Sequence, residues 1–142
     1  MAFNDPEAIL RDVATKKIIK TEKAPAAIGP YSQAVRAGDF VYASGQIPVD
    51  PKTGDIVSDD VQAQAKQVLE NVKALFESVG YSLNDIVKTT VFVTDIDDFA
   101  AVNTIYASYF EKEPPARSFV AVKSLPKNAK IEIEAVAWKK LF

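Results

Sequence analysis

Three arginines occur in the chain, at positions 11, 36 and 117, and the setting of Arg117 points most directly to chemistry. It opens a predicted strand directly after Pro114-Pro115-Ala116, a rigid approach that fixes where its guanidinium points. A planar fork of donors there suits a carboxylate or phosphate held in bidentate fashion, although a surface or interface ion pair is the commoner use of such an arginine. Further along, Ile131, Ile133, Ala135 and Ala137 alternate with Glu132 and Glu134, which puts both carboxylates on one side of a strand. Such a pair can work as general acid and base, or form the solvated side of an antiparallel sheet. Ser44-Gly45-Gln46 could present a hydroxyl and a closely approachable backbone amide, although Ser-Gly is also common turn chemistry. Tyr31, following Gly29-Pro30, reads either as a loop anchor with a bonded hydroxyl or as a proton donor.

Composition narrows the options. Histidine and cysteine are both absent from the 142 residues, which excludes disulfides, thiolate nucleophiles, Cys/His zinc sites and every Ser-His-Asp or Cys-His mechanism. A carboxylate becomes the first choice of proton carrier, and no metal or cofactor is expected. The formal charge of -2 gives no general pull toward phosphate backbones or anionic lipid. Lys16, Lys17, Lys20 and Lys23 near one end and Lys139 and Lys140 near the other lack interleaved aromatics, so solvated strand ends are favoured over an RNA surface. The first twenty residues hold no apolar run long enough for a signal peptide or membrane span, and Asp5, Glu7 and Asp12 disfavour a transit peptide. A soluble cytoplasmic protein is expected.

The elements that must position these residues follow from periodicity. Residues 1–16 read as an extension, with a short amphipathic helix conceivable through Ile9, Leu10 and Val13, and residues 17–142 read as one domain. Lys17 to Thr21 is a short strand candidate. Ala34 to Ala37 and Phe40 to Ser44 form a hairpin around Gly38-Asp39. Val61, Ala65, Val68, Val72, Leu75 and Val79 define one face of a helix over 59–79, with Ser58 as N-cap and Gly80 as stop. A strand over 86–94 has Val87, Val91 and Val93 on one side. A second helix over 97–110 buries Phe99, Val102, Tyr106 and Phe110 and is ended by Pro114-Pro115. Strands over 117–122 and 131–138 complete the order. This predicts an α/β fold of the α+β sandwich type, a single mixed sheet with two helices on one face. The other face carries apolar side chains as well, Phe92, Phe119, Val136 and Trp138 showing residues on both sides, so a homo-oligomer covering it is expected.

Several blocks agree in order and spacing with one known family: Ala24 to Ala34 (Ala-Pro-Ala-Ala-Ile-Gly-Pro-Tyr-Ser-Gln-Ala), Ser44 to Pro48, Asp85 to Val93, Pro115-Ala116-Arg117-Ser118 and Ile131 to Ala135. Over about residues 17–140 the chain closely resembles the RidA/YjgF family. The resemblance implies a chorismate-mutase-like fold assembled as a homotrimer, with an inner barrel of sheets and sites in clefts between subunits. It implies hydrolysis of 2-iminobutanoate and 2-iminopropanoate to 2-oxo acids and ammonia. By resemblance Arg117 holds the substrate carboxylate, Glu132 positions or activates water, and Tyr31, Ser44, Gly45 and Asn103 line the cleft. Phe119 stands where many members carry cysteine, and a ring on Arg117's side of the strand narrows the pocket. Two other readings come from different classes: single-stranded RNA cleavage with inhibition of translation, and a non-enzymatic or chaperone-like module binding small acids.

Overall fold

The computed structural model describes residues 16–141, so the helix expected through Ile9, Leu10 and Val13 lies outside the described residues. Strand β1 (Lys17–Ile19) pairs with β2 (Ala34–Ala37), and β2 turns through Gly38, at φ 60, into β3 (Phe40–Gln46). Then follow helix α1 (Val61–Glu77), strand β4 (Ile86–Val93), helix α2 (Phe99–Tyr109), β5 (Ala116–Ala121) and β6 (Ile131–Trp138). They form one six-stranded sheet in the order β1-β2-β3-β6-β4-β5, antiparallel except for the parallel β4–β5 pair. The expected mixed sheet with two helices is present.

Both helices sit on one side of the sheet because only that side offers an unbroken apolar surface. Val41, Val91, Val93, Ile131 and Ile133 there meet Ala65, Val68, Leu69, Val72, Leu75 and Phe76 of α1. Each such large side chain contributes on the order of 1.5–3 kcal/mol by leaving water. Two buried amides within this face pin loops. Asn71 donates to the carbonyls of Ile47 and Val49 at 3.1 and 2.9 Å, and Gln64 accepts from the Lys130 N–H at 2.8 Å. Buried polar groups of this kind hold backbone in place because leaving them unpaired would be expensive.

Several boundaries differ from expectation. The N-cap of α1 is Asp60, whose carboxylate accepts from the Ala63 N–H at 2.8 Å, while Ser58 sits a step upstream and accepts from Asp60 N–H. Val79 lies past the helix end and is 36% exposed. In β4 the pairing with β6 shifts register between Ile86 and Lys88, so Ile86 turns inward and Val87 turns out, off the side it was expected to share with Val91 and Val93. Helix α2 buries Val102 and Tyr106, and Phe110 just beyond it, but Phe99 is 42% exposed. That helix stops at Tyr109, with Phe110 already at φ -126, so the prolines at 114 and 115 come too late to end it. Instead they shape the approach to β5, where Glu113 takes φ 40.

The face without helices carries Phe40, Tyr42 and Trp138, all exposed, with half-buried Phe92 and Val136 beside Glu132 and Glu134. Phe119 belongs to the opposite, helix-bearing side. No helix among the described residues is long and apolar enough to cross a membrane.

Candidate functional site

Arg117 lies in β5 opposite Thr89 of β4, and Thr89 lies opposite the buried Ala135 of β6. This row faces the helices. The guanidinium carbon sits 4.8 Å from the ring centre of Tyr106, 5.2 Å from Phe119 and 5.7 Å from Phe99, so three aromatic rings surround it. Phe99 and Phe119 meet edge to face at 4.8 Å, which gives the exposed Phe99 its place. Nη1 donates to Asn103 Oδ1 at 2.7 Å, and this partner is a neutral amide rather than a carboxylate. A guanidinium has five N–H donors, so the arrangement aims the cation without neutralising it. Tyr106 in turn shares a 2.7 Å hydrogen bond with Thr89, and burial raises its pKa, so the ring that supports Arg117 stays uncharged.

Glu132 lies in β6 opposite Phe92, on the face without helices. Its neighbour is Gly45, at the irregular end of β3 where the pairing with β6 shifts between Ala43 and Gln46. A methyl group on Gly45 would lie 2.7 Å from the Glu132 carboxyl carbon, so only glycine leaves this carboxylate its position. Burial first, and the charge of Glu134 second, push the Glu132 pKa above the ordinary carboxylate value. A carboxylate so placed is a better proton acceptor than a solvated one.

Ser44 and Tyr31 complete this second cluster. The Ser44 hydroxyl donates to the Ser32 carbonyl, and its N–H donates to Gln33 O at 2.9 Å. The Tyr31 hydroxyl accepts from the Ile28 N–H at 3.2 Å, and the residue is 52% exposed. Tyr31 and Gly45 share the wall of one cavity, of about 230 Å³. Gln33, which is buried, holds that loop: its amide nitrogen donates to the carbonyls of Thr21 and Pro25 at 2.9 and 2.8 Å, and its oxygen accepts from Thr21 N–H.

The structure thus gathers the sequence-derived candidates into two clusters, Arg117 with Asn103 and Phe119, and Glu132 with Gly45, Ser44 and Tyr31. Within one chain the clusters lie on opposite faces of the sheet. Sequence reasoning did not single out Tyr106, Phe99, Gln33 or Asn71 for the site. The last had a visible signal, a polar residue at the heart of the apolar stripe Val68-Val72-Leu75. Among the described residues no group of three or more acidic side chains is arranged to hold a metal ion.

These features define an α+β domain with an aromatic-walled arginine, without a carboxylate partner among the described residues, on one face of its sheet and a half-buried carboxylate on the other. Comparison with known proteins gives that class a family. The Endoribonuclease L-PSP profile matches residues 21–139, and the chain belongs to this family, which is also that of RidA and YjgF. A Salmonella typhimurium protein named 2-iminobutanoate/2-iminopropanoate deaminase is 60% identical over 124 residues, spanning 85% of this chain and 96% of its own. The solved YjgF gene product of Escherichia coli superposes with a TM-score of 0.83 at 56% identity, covering 87% of this chain and 98% of that one. Escherichia coli TdcF, solved with bound serine, also gives a TM-score of 0.83, at 52% identity and the same coverage of both chains.

Proposed function

We propose that this protein is a cytoplasmic 2-iminobutanoate/2-iminopropanoate deaminase, working as a homotrimer whose sites join the Arg117 cluster of one chain to the Glu132 cluster of the next. The observation that carries this reading is the Arg117 guanidinium, oriented by Asn103 and walled by three rings, with no carboxylate among the described residues paired to its charge. The named activity of the Salmonella relative supports the same substrate class. A second chain also explains the apolar face around Phe40, Tyr42 and Trp138, which it would cover.

The chemistry asks little of the protein beyond position. An iminium carbon is already electrophilic, so hydrolysis needs a fixed substrate, an aimed water and a proton carrier, with no covalent nucleophile. Arg117 binds the substrate carboxylate. Glu132 accepts a proton as water oxygen bonds to C2, giving a carbinolamine. That proton passes to the nitrogen, and as the C–N bond breaks and ammonia leaves, Glu132 takes the proton of the C2 hydroxyl, so that C2 becomes the carbonyl of a 2-oxo acid. One imine and one water give one oxo acid and one ammonia.

The test is ammonia release from 2-iminobutanoate generated in situ by a threonine dehydratase. Acceleration over the uncatalysed rate that is lost in Arg117→Ala supports the reading. Absence of acceleration, or acceleration unchanged by Arg117→Ala, overturns it.

A further inference from the structure

Beyond Tyr31 and Gly45, the lining of the cavity they share is not used by the reaction just described. That lining is largely apolar, including Pro25, Ile28, Ile47 and Val49, and its one formally charged member is Lys127. At about 30 Å³ per water, 230 Å³ equals nearly eight waters, enough for a side chain of several heavy atoms and well beyond a methyl or ethyl group.

The cavity is preformed, because the buried Gln33 ties down the loop bearing Pro25 and Asn71 holds the segment bearing Ile47 and Val49. Lys127 is placed with similar care. It and Asn128 both adopt left-handed backbone conformations, at φ 57 and 58, which cost energy in residues with a Cβ and persist where the surroundings enforce them. From there the Lys127 ammonium reaches across to the Gly54 carbonyl at 2.8 Å. One N–H is used and two remain, on a cation at the rim of an otherwise uncharged hollow.

We propose that this cavity receives the side chain of the substrate and that Lys127 selects for a carboxylate at its end, so that imines of acidic amino acids, 2-imino dicarboxylates, are substrates of the same site. This rests on the imine-deaminase reading, with Arg117 taking the carboxylate next to the reacting carbon and Lys127 the distal one. A lysine serving only to tether the loop to Gly54 would contribute to stability and not to the choice of ligand.

The stable oxo acid products separate these cases. Binding of 2-oxoglutarate and of 2-oxobutanoate is measured by titration calorimetry on the intact oligomer. A charged pair in this partly open setting should favour 2-oxoglutarate by about fivefold. Lys127→Met should abolish that preference, and Lys127→Arg, which keeps the charge if the methionine variant perturbs the loop, should retain most of it. A preference absent from the wild type, or unchanged in Lys127→Met, overturns the proposal. Arg117→Ala reports on the underlying reading separately: it should weaken both ligands, and if it weakens neither, the deaminase site itself is misplaced and this inference falls with it.

Discussion

Arg117 and Glu132 lie on opposite faces of one sheet. Arg117 shares a cross-strand row with Thr89 and the buried Ala135, whereas Glu132 shares one with Phe92 and Val120. On β4, β5 and β6 the two rows are three positions apart, an odd offset, and side chains alternate along a strand. No rotamer change brings the two groups together within one chain, so a reaction that uses both requires two chains.

The environment of Arg117 makes its replacement specific in effect. Losing the guanidinium should cost about 2–5 kcal/mol of carboxylate binding, more than tenfold in kcat/KM. Arg117→Lys should recover little, because an ammonium has no planar fork for bidentate binding or for the flanking rings. Asn103→Ala should lower kcat/KM less than Arg117→Ala, since it removes the orienting acceptor and leaves the charge. Steady-state kinetics on the three variants check the ranking, and an Arg117→Lys variant as active as the parent enzyme would contradict it.

Gly45→Ala tests the contact with Glu132. The backbone there lies outside the left-handed region, so alanine is tolerated by the chain itself, but its methyl would displace the Glu132 carboxyl group. That group ends a flexible side chain, so the adjustment should cost little stability. We expect a melting temperature within a few degrees of the parent and deaminase activity reduced by roughly tenfold or more, as catalysis depends on placement. Unchanged activity would show that the position of Glu132 is immaterial.

The raised pKa of Glu132 has a defined sign in stability. The folded chain holds the Glu132 proton more tightly than the unfolded chain, so stability falls as pH rises from the ordinary glutamate value of about 4.3 through the raised one. Glu132→Gln escapes this loss. Denaturant unfolding should find the variant more stable than the parent at neutral pH, with the gap closing below about pH 4. A gap of the same size at every pH would contradict the assignment. The acid limb of the parent's kcat/KM profile should report the same group.

At the start of α1, Asp60→Ala should cost about 1 kcal/mol by removing the acceptor for Ala63 N–H, whereas Ser58→Ala should cost less. Equal effects in thermal or denaturant unfolding would mean that the cap is shared.

Much of this is legible in the sequence where one local rule governs. The alternation Ile131-Glu132-Ile133-Glu134 defines β6 and its faces, and the stripe from Val61 to Leu75 defines the buried side of α1. What escapes depends on neighbours distant in the chain. Val87 is turned outward by a register shift in its pairing with β6, which periodicity along β4 alone does not encode. Phe99 has the spacing of a core residue, yet it covers Arg117 and Phe119 at the surface. Asp59 and Asp60 both suit a helix start, and the choice of cap between Ser58 and Asp60 turns on a single hydrogen bond. For the site, residue types point to Arg117 and Glu132, but their separation onto two faces emerges only from the cross-strand registers.

Complementation between two inactive variants tests the two-chain site most directly. Arg117→Ala and Glu132→Gln chains, each inactive alone, are mixed in equal amounts, unfolded, refolded together and assayed for ammonia release. With random assembly into closed rings, about a quarter of the sites would pair an intact Arg117 with an intact Glu132, so activity should return to about that fraction of the parent rate. Activity no higher than that of the separately refolded variants would contradict a site shared between chains.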